Sequence, residues 1–383
     1  MYYKVKKAIK FIFLTVMTLC LCACTARSSS VVKNNYNKES FETLEIKYAK
    51  GYTIERDNNG YFLITIGDQK ILTVPEGREI PEWINDEENV VVLKQPLNDI
   101  YVAATSIPDM IDSLGMLDSV SYTSTTYEDW ALDSMREAIE GLSIEYVGKY
   151  RSPDYEVLLA NGCNLAIEST MIYHSPEVFE KLNALSIPVI VDTSSYESDP
   201  LGRLEWIKVY GAILGCYERS VEIFDKKVAA VETICSTQDL NSEKKTVAFF
   251  YINSNGSVVV RKPGDYVTKM IAMSGGEYVI KSLPEDENAL STMNMQMEAF
   301  YAEAVDADII IYNSTIDGEI NTLEELYDKS ELLKDFKAVK NRNVWCSGKN
   351  MFQESSSVSE MIEDLSKILK GEDDLVYFHR IEK

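Results

Sequence analysis

DPLGRLEWIKVYGAILGCYERSVEIFDKKVAAVETIC, residues 199–235, is the stretch whose reading decides the fold. Pro200 suits a first helical turn, and no further proline interrupts the run up to Cys235. Leu204, Ile207, Gly211 and Leu214 share one face, and Val221, Phe224, Val228, Val231 and Cys235 prolong the same stripe. The periodicity predicts one uninterrupted helix over 200–237, about 50 Å long at 1.5 Å per residue. Both flanks alternate strand-like and helix-like segments, so this helix reads as a strut between two α/β lobes.

Before the strut, residues 98–199 repeat strand and helix. Ile100–Thr105, Val120–Ser124, Ile144–Gly148, Leu165–Ile167 and Ile187–Asp192 are predicted strands, separated by helices that start at Pro108, Glu128, Pro153 and Pro176. Apolar strands without polar alternation imply a parallel sheet covered on both faces. After the strut, residues 244–372 return to the same grammar, with strands at Thr246–Ile252, Ser257–Val260, Ile309–Tyr312 and Val344–Cys346. Residues 373–383 read as a charged tail. The expected fold is therefore α/β: two doubly wound lobes joined by one long α-helix. Residues 41–97 add a small N-terminal antiparallel β segment, in which Gly51–Glu55 and Tyr61–Ile66 flank the turn Asp57-Asn58-Asn59-Gly60 and Gln69–Val74 comes next. In open α/β sheets ligands bind beyond the carboxyl ends of strands, so a binding cleft is expected between the lobes.

The first 23 residues are of another kind. Lys4, Lys6, Lys7 and Lys10 precede an apolar run, Phe11–Leu21, too short to span a membrane. The run closes on Leu21-Cys22-Ala23-Cys24, which resembles a bacterial lipoprotein signal with Cys24 as the lipidated residue and residues 24–40 as a polar linker. Removing residues 1–23 takes the formal charge from −23 to −27. Such a chain repels nucleic acid and anionic headgroups. Cys163, Cys216, Cys235 and Cys346 are widely spaced and form no zinc framework, so mostly buried free thiols are expected, with a disulfide as the alternative. With only His174 and His379, no GxSxG elbow and no Walker A or GxGxxG sequence, the chain offers no catalytic constellation, and a binding module is expected rather than an enzyme.

Several phrases carry a specific resemblance: Ser152-Pro153-Asp154-Tyr155-Glu156 through Asn164-Leu165-Ala166-Ile167, Leu185-Ser186-Ile187-Pro188-Val189, Tyr210-Gly211-Ala212-Ile213-Leu214-Gly215, Ser274-Gly275-Gly276-Glu277 and Ala307-Asp308-Ile309-Ile310. In this order, over roughly residues 98–370, they resemble the substrate-binding lipoproteins of ABC importers, in the class that captures ferric siderophores, haem and cobalamin. The resemblance implies an ABC permease and its ATPase as partners, a monomer held to the outer face of the membrane by lipid, and no cofactor of its own. It also implies that Glu156 and Glu298 meet permease arginines, although a carboxylate in a first helical turn equally complements the helix dipole. The same class includes haem and cobalamin receptors, and a receptor without a transporter is a further alternative.

Loops at strand ends supply the candidate ligand contacts: Tyr127, Trp130, Tyr173, His174 and Tyr196 in the first lobe, Tyr251, Arg261 and Lys349 in the second, and Arg203 at the start of the strut. Rings give a rigid platform for a bulky ligand. Arg203, Arg261 and Lys349 are cations in an acidic chain, which leads to the expectation of an anionic ferric chelate. Haem would want an axial Tyr173 or His174.

Overall fold

A computed structural model describes residues 40–87, 89–238, 243–283, 292–316 and 318–382. The leader, Cys24 and nearly all of the linker lie outside the described residues. The chain opens with β1 Glu42–Thr43, β2 Tyr52–Arg56, β3 Phe62–Ile66, β4 Gln69–Val74 and β5 Val90–Lys94, hydrogen-bonded in that order. β2, β3 and β4 pair antiparallel as expected; β1, not foreseen, joins β2 antiparallel, and β5 returns parallel to β4. One face carries Tyr52, Ile54, Phe62, Ile64 and Ile71 into the main core. The other covers Tyr61, Leu72 and Val74 with Phe41 and Trp83.

The first lobe holds β6 Ile100–Val102, β7 Val120–Thr123, β8 Glu145–Tyr146, β9 Leu165–Ser169 and β10 Val189–Asp192. They form one parallel sheet in the order β10-β9-β6-β7-β8. That order reverses between β6 and β9, so the loops after these two strands part and open a crevice.

The predicted single strut is instead three helices, α5 Pro200–Glu205, α6 Ile207–Ile213 and α7 Tyr217–Ser236, preceded in the chain by α1 Ile107–Ser113, α2 Asp133–Glu140, α3 Tyr155–Ala160 and α4 Pro176–Ala184. The ladder is only disturbed at Trp206, which keeps helical dihedrals. It stops at Gly215, whose φ of +75° is left-handed, and at the non-helical Cys216. The apolar stripe stays in phase across this break although α6 is buried on every side and α7 only along a stripe that includes Phe224, Val228 and Val231, which is why periodicity alone joins them. A Cβ on Gly211 would lie 2.3 Å from Ser220 Oγ, so only glycine lets α6 and α7 press together there. The connecting strut proper is α7, about 30 Å long.

The second lobe contains β11 Thr246–Ile252, β12 Val258–Arg261, β13 Glu277–Tyr278, β14 Thr292–Met295, β15 Ile309–Tyr312, β16 Val344–Ser347 and β17 Phe378–Arg380. Its sheet runs β14-β12-β11-β15-β16-β17, with β13 also on β11. The centre is parallel, whereas β12, β14 and β17 are antiparallel. This lobe is thus a mixed sheet with a parallel centre. The supposed tail supplies the edge strand β17, and His379 Nε2 contacts the Ile320 carbonyl at 3.0 Å. Helices α8 Tyr266–Met273 and α12 Val358–Lys370 pack against α7, while α9 Met297–Ala304, α10 Leu323–Lys329 and α11 Lys337–Lys340 complete the lobe.

Candidate ligand-binding cleft

Loops that follow the strand ends of the first lobe enclose a cleft of about 670 Å³ with residues of the second. Thr105 and Ser106 follow β6, Ser124 to Thr126 follow β7, Lys149 to Arg151 follow β8, Thr170 and Met171 follow β9, and Ser194 to Tyr196 follow β10, while Tyr146 and Ser169 line the cleft from the last positions of β8 and β9. The opposite wall is Tyr266, Met351, Phe352, Ser355, Val358 and Met361. Arg203, from α5, reaches the floor.

The floor is tightly built. Arg203 Nε donates to the Glu197 carbonyl at 2.9 Å, its guanidinium also donates to the Ser195 carbonyl, and it stacks 3.5 Å over the Tyr266 ring. Burial lowers the Arg203 pKa from its usual value, with Tyr266 and Asp265 acting the other way. The guanidinium stays charged nonetheless. Beneath it Asp192 accepts from Ser194 Oγ at 2.6 Å and Tyr210 Oη at 2.7 Å. Burial raises the Asp192 pKa against those two hydrogen bonds.

The lobes also touch directly. Gln353 Nε2 donates to the Asp129 carbonyl at 2.9 Å, and Ala131 N–H donates to Gln353 Oε1 at 2.7 Å. Ser356 N–H donates to Asp109 at 2.6 Å, and burial pushes the Asp109 carboxyl up to about 6.

Of the ligand contacts expected from sequence, Tyr196 and Arg203 line the cleft. Trp130 does not: it is 2% exposed and donates Nε1–H to the Thr125 carbonyl at 3.2 Å, a core residue whose indole finds its partner locally. Tyr127 sits in a helical turn outside the lining. Tyr173 is 65% exposed and borders a separate hollow with Gln69, Phe179 and Val191, and His174, next to it, is also outside the cleft. Tyr251 is a half-buried strand residue opposite Val259. Arg261 is held 3.6 Å from Asp265 among the rings of Phe249, Tyr266 and Phe352. Lys349 is exposed and lies beyond the lining.

What sequence reasoning missed is Lys149, Tyr150 and Arg151. The segment reads most simply as a lead-in to the Ser152-Pro153 helix start, but it follows β8 and so obeys the same strand-end rule as the other loops. Arg151 is exposed, and neither it nor Lys149 is paired with a carboxylate among the described residues; Arg151 lies 5.4 Å from the Tyr150 ring. Glu156 and Glu298 hold equivalent places, each the second residue of the helix preceding β9 or β15.

A family model described as periplasmic binding protein matches residues 100–349. The chain belongs to the periplasmic binding protein family. Its relatives include an uncharacterized lipoprotein of Methanocaldococcus jannaschii, 26% identical over 96% of this chain and 94% of that one. Among solved structures, a possible iron-binding periplasmic solute-binding protein of Staphylococcus epidermidis superposes with a TM-score of 0.57 at 14% identity, covering 72% of this chain and 99% of the other. The periplasmic heme-binding protein HutB of Vibrio cholerae gives 0.57 at 16%, covering 70% and 97%. As a periplasmic binding protein, the chain places its cleft between two α/β lobes in the manner of substrate-binding proteins, and β1 to β5 precede the matched region.

Proposed function

We propose that this protein is the lipid-anchored, extracytoplasmic receptor of an ABC importer and that it captures an anionic ferric chelate. The observation that carries the reading is the cleft's chemistry. A chain with a formal charge of −23 presents Lys149, Arg151 and Arg203 to one cleft, together with Tyr146, Tyr150, Tyr196, Tyr266 and Phe352. Cations there offset a field that would otherwise repel an anion. Guanidinium and rings together suit a ligand that is both anionic and aromatic at its rim. The cations differ from those expected: Arg261 is committed to Asp265, and Lys149 and Arg151 take its place. Cys24 would carry the anchor, and Glu156 and Glu298 would meet the permease, which with its ATPase completes the importer. The protein needs no cofactor of its own in this role.

The test is a fluorescence titration with ferric tris-catecholate, a ferric hydroxamate, haem and cobalamin, repeated on Lys149→Ala/Arg151→Ala. Loss of two charge-assisted contacts should weaken the ferric catecholate at least about tenfold. Unchanged catecholate binding in that variant sinks the assignment. Haem binding with a Soret shift would move the reading to haem, whose axial ligand would then come from a cleft residue such as Tyr146, Tyr196 or Met171 and not from Tyr173 or His174. In cells, Glu156→Ala/Glu298→Ala should keep affinity and lose uptake.

A further inference from the structure

Residues 41–97 fall outside the matched family region, and their attachment to the rest of the chain is unusual. Five successive main-chain N–H groups, Lys47 to Gly51, converge on two buried carboxylates of the segment that builds the cleft floor. Glu205 takes Lys47, Tyr48 and Ala49, at 2.7 to 3.1 Å. Glu197 takes Lys50 at 2.9 Å and Gly51 at 2.7 Å, and also the indole N–H of Trp206 at 3.1 Å. Converging backbone amides form a concave anion seat, so each carboxylate is fixed in place.

Glu197 is also the last fixed point before the ligand. Its side chain faces the N-terminal sheet, and its carbonyl is the acceptor for Arg203 Nε at 2.9 Å. The turn leading into it carries Ser195, the second acceptor of Arg203, and Tyr196, a cleft wall. Arg203 in turn lies 3.5 Å over Tyr266, which belongs to the other lobe. A path of direct contacts thus runs from Gly51 to Glu197 to Arg203 to Tyr266.

We infer that the N-terminal sheet positions the cleft floor: Glu197, seated on the amides of Lys50 and Gly51, holds Arg203 where it meets both ligand and second lobe. Glu197 is a positioning residue, since it touches Arg203 and not the cleft. Gly51 offers a means of moving it without touching the cleft. A Cβ at residue 51 would stand 3.0 Å from Glu197 Oε1 and 3.1 Å from Trp206 Cζ2, and the backbone there is not left-handed, so Gly51→Ala displaces the carboxylate without straining its own loop.

The experiment follows the Arg203 Nε–H signal by ¹H–¹⁵N spectroscopy on the mature protein, assigned by its loss in Arg203→Lys, alongside titration with ferric tris-catecholate. Gly51→Ala and Glu197→Gln should shift or broaden the Arg203 signal and weaken the catecholate about tenfold, the scale of a charge-assisted hydrogen bond. Gln95→Ala is the control. It loosens the same N-terminal segment, whose Gln95 Nε2 donates to the Ala212 and Ile213 carbonyls at 2.8 and 2.9 Å, away from Glu197 and the cleft lining. It should lower the melting temperature and leave signal and affinity unchanged. If all three variants melt lower but Arg203 and the affinity stay as in the wild type, the sheet only stabilises and the inference fails. The affinity arm rests on the proposed cargo; the spectroscopic arm does not. A chain that binds no probe yet shows the shifted Arg203 signal keeps this inference and loses the cargo reading.

Discussion

The seam between the N-terminal sheet and the inter-lobe helices and the sheet beneath the cleft each bury a glutamate completely, and the two are treated in opposite ways. Glu205, at the seam, is 0% exposed and has four partners, three main-chain N–H groups and Lys208 Nζ at 2.7 Å. Burial alone would raise its pKa, yet the hydrogen bonds from Lys208, Lys47, Ala49 and Tyr48 together hold it below the ordinary value. Glu168, on β9, is also 0% exposed, and neither carboxylate oxygen has a hydrogen-bond partner among the described residues. Burial pushes its carboxyl up to about 8. Burial, then, does not decide whether a carboxylate is charged; the donors supplied by its neighbours do. The seam is built to hold an anion and the cleft's sheet to hold a neutral acid, so the regions respond to pH with opposite signs.

The largest expected effect is at the seam. Glu205→Ala leaves Lys208 buried without its carboxylate, facing only the Phe224 ring at 4.3 Å, and strands three amides, so it should cost about 3–5 kcal/mol in urea unfolding. A loss below 1 kcal/mol (on the order of a surface pair) would mean the seat contributes little. Since the Glu205 pKa is depressed on folding, its contribution is present above the unfolded value and is lost as pH falls through the folded one.

Glu168 should do the reverse. The unfolded chain releases this proton near 4.5 and the folded chain near 8, so between those values the folded state holds a proton the unfolded state lacks. Stability therefore falls as pH rises through that window and levels off above it. Glu168→Gln removes the titration and should raise stability at pH 8 by about 2 kcal/mol, less than the full shift allows because the amide is still unpartnered. A melting-temperature profile from pH 5 to 9 (roughly the window a single shifted carboxyl spans) that keeps its slope in the variant would overturn this.

The smallest effect concerns the contact between lobes. Gln353→Ala deletes both bonds to the 129–131 segment and should cost about 1 kcal/mol. Hydrogen exchange at the Ala131 amide, which loses its acceptor, should quicken about tenfold. Unchanged exchange would show that the amide is protected by something other than the opposite lobe.

These contrasts also separate what was legible in the chain from what was not. Thr246–Ile252 and Ile309–Tyr312 are read to the residue, because strands buried on both faces leave an unbroken apolar run. Thr292–Met295 and Phe378–Arg380 escape notice: both are edge strands, and an edge need not be apolar. The break at Gly215 is hidden by a stripe that keeps its phase. At the cleft, the rule that ligands meet strand ends finds Tyr196, Thr170 and Met351. It cannot tell Arg203, at the floor, from Arg261, whose charge is answered by Asp265. Nor does it separate Trp130 from a ligand contact, because the acceptor that buries it lies only five residues back along the chain.

Gly215 looks like a hinge: a left-handed glycine between two helices that lead from one lobe to the other. Its surroundings splint it. Gln95 Nε2 donates to the Ala212 and Ile213 carbonyls at 2.8 and 2.9 Å, and the same side chain stands 3.4 Å from where a Gly215 Cβ would be. Phe62 rests on Tyr217 just past the break, with ring centroids 5.1 Å apart. This joint in the connecting segment is thus braced from outside by β3 and by the residue just after β5. With that joint braced, relative motion of the lobes is thrown onto the contacts that cross between them, among them those of Gln353 and Ser356.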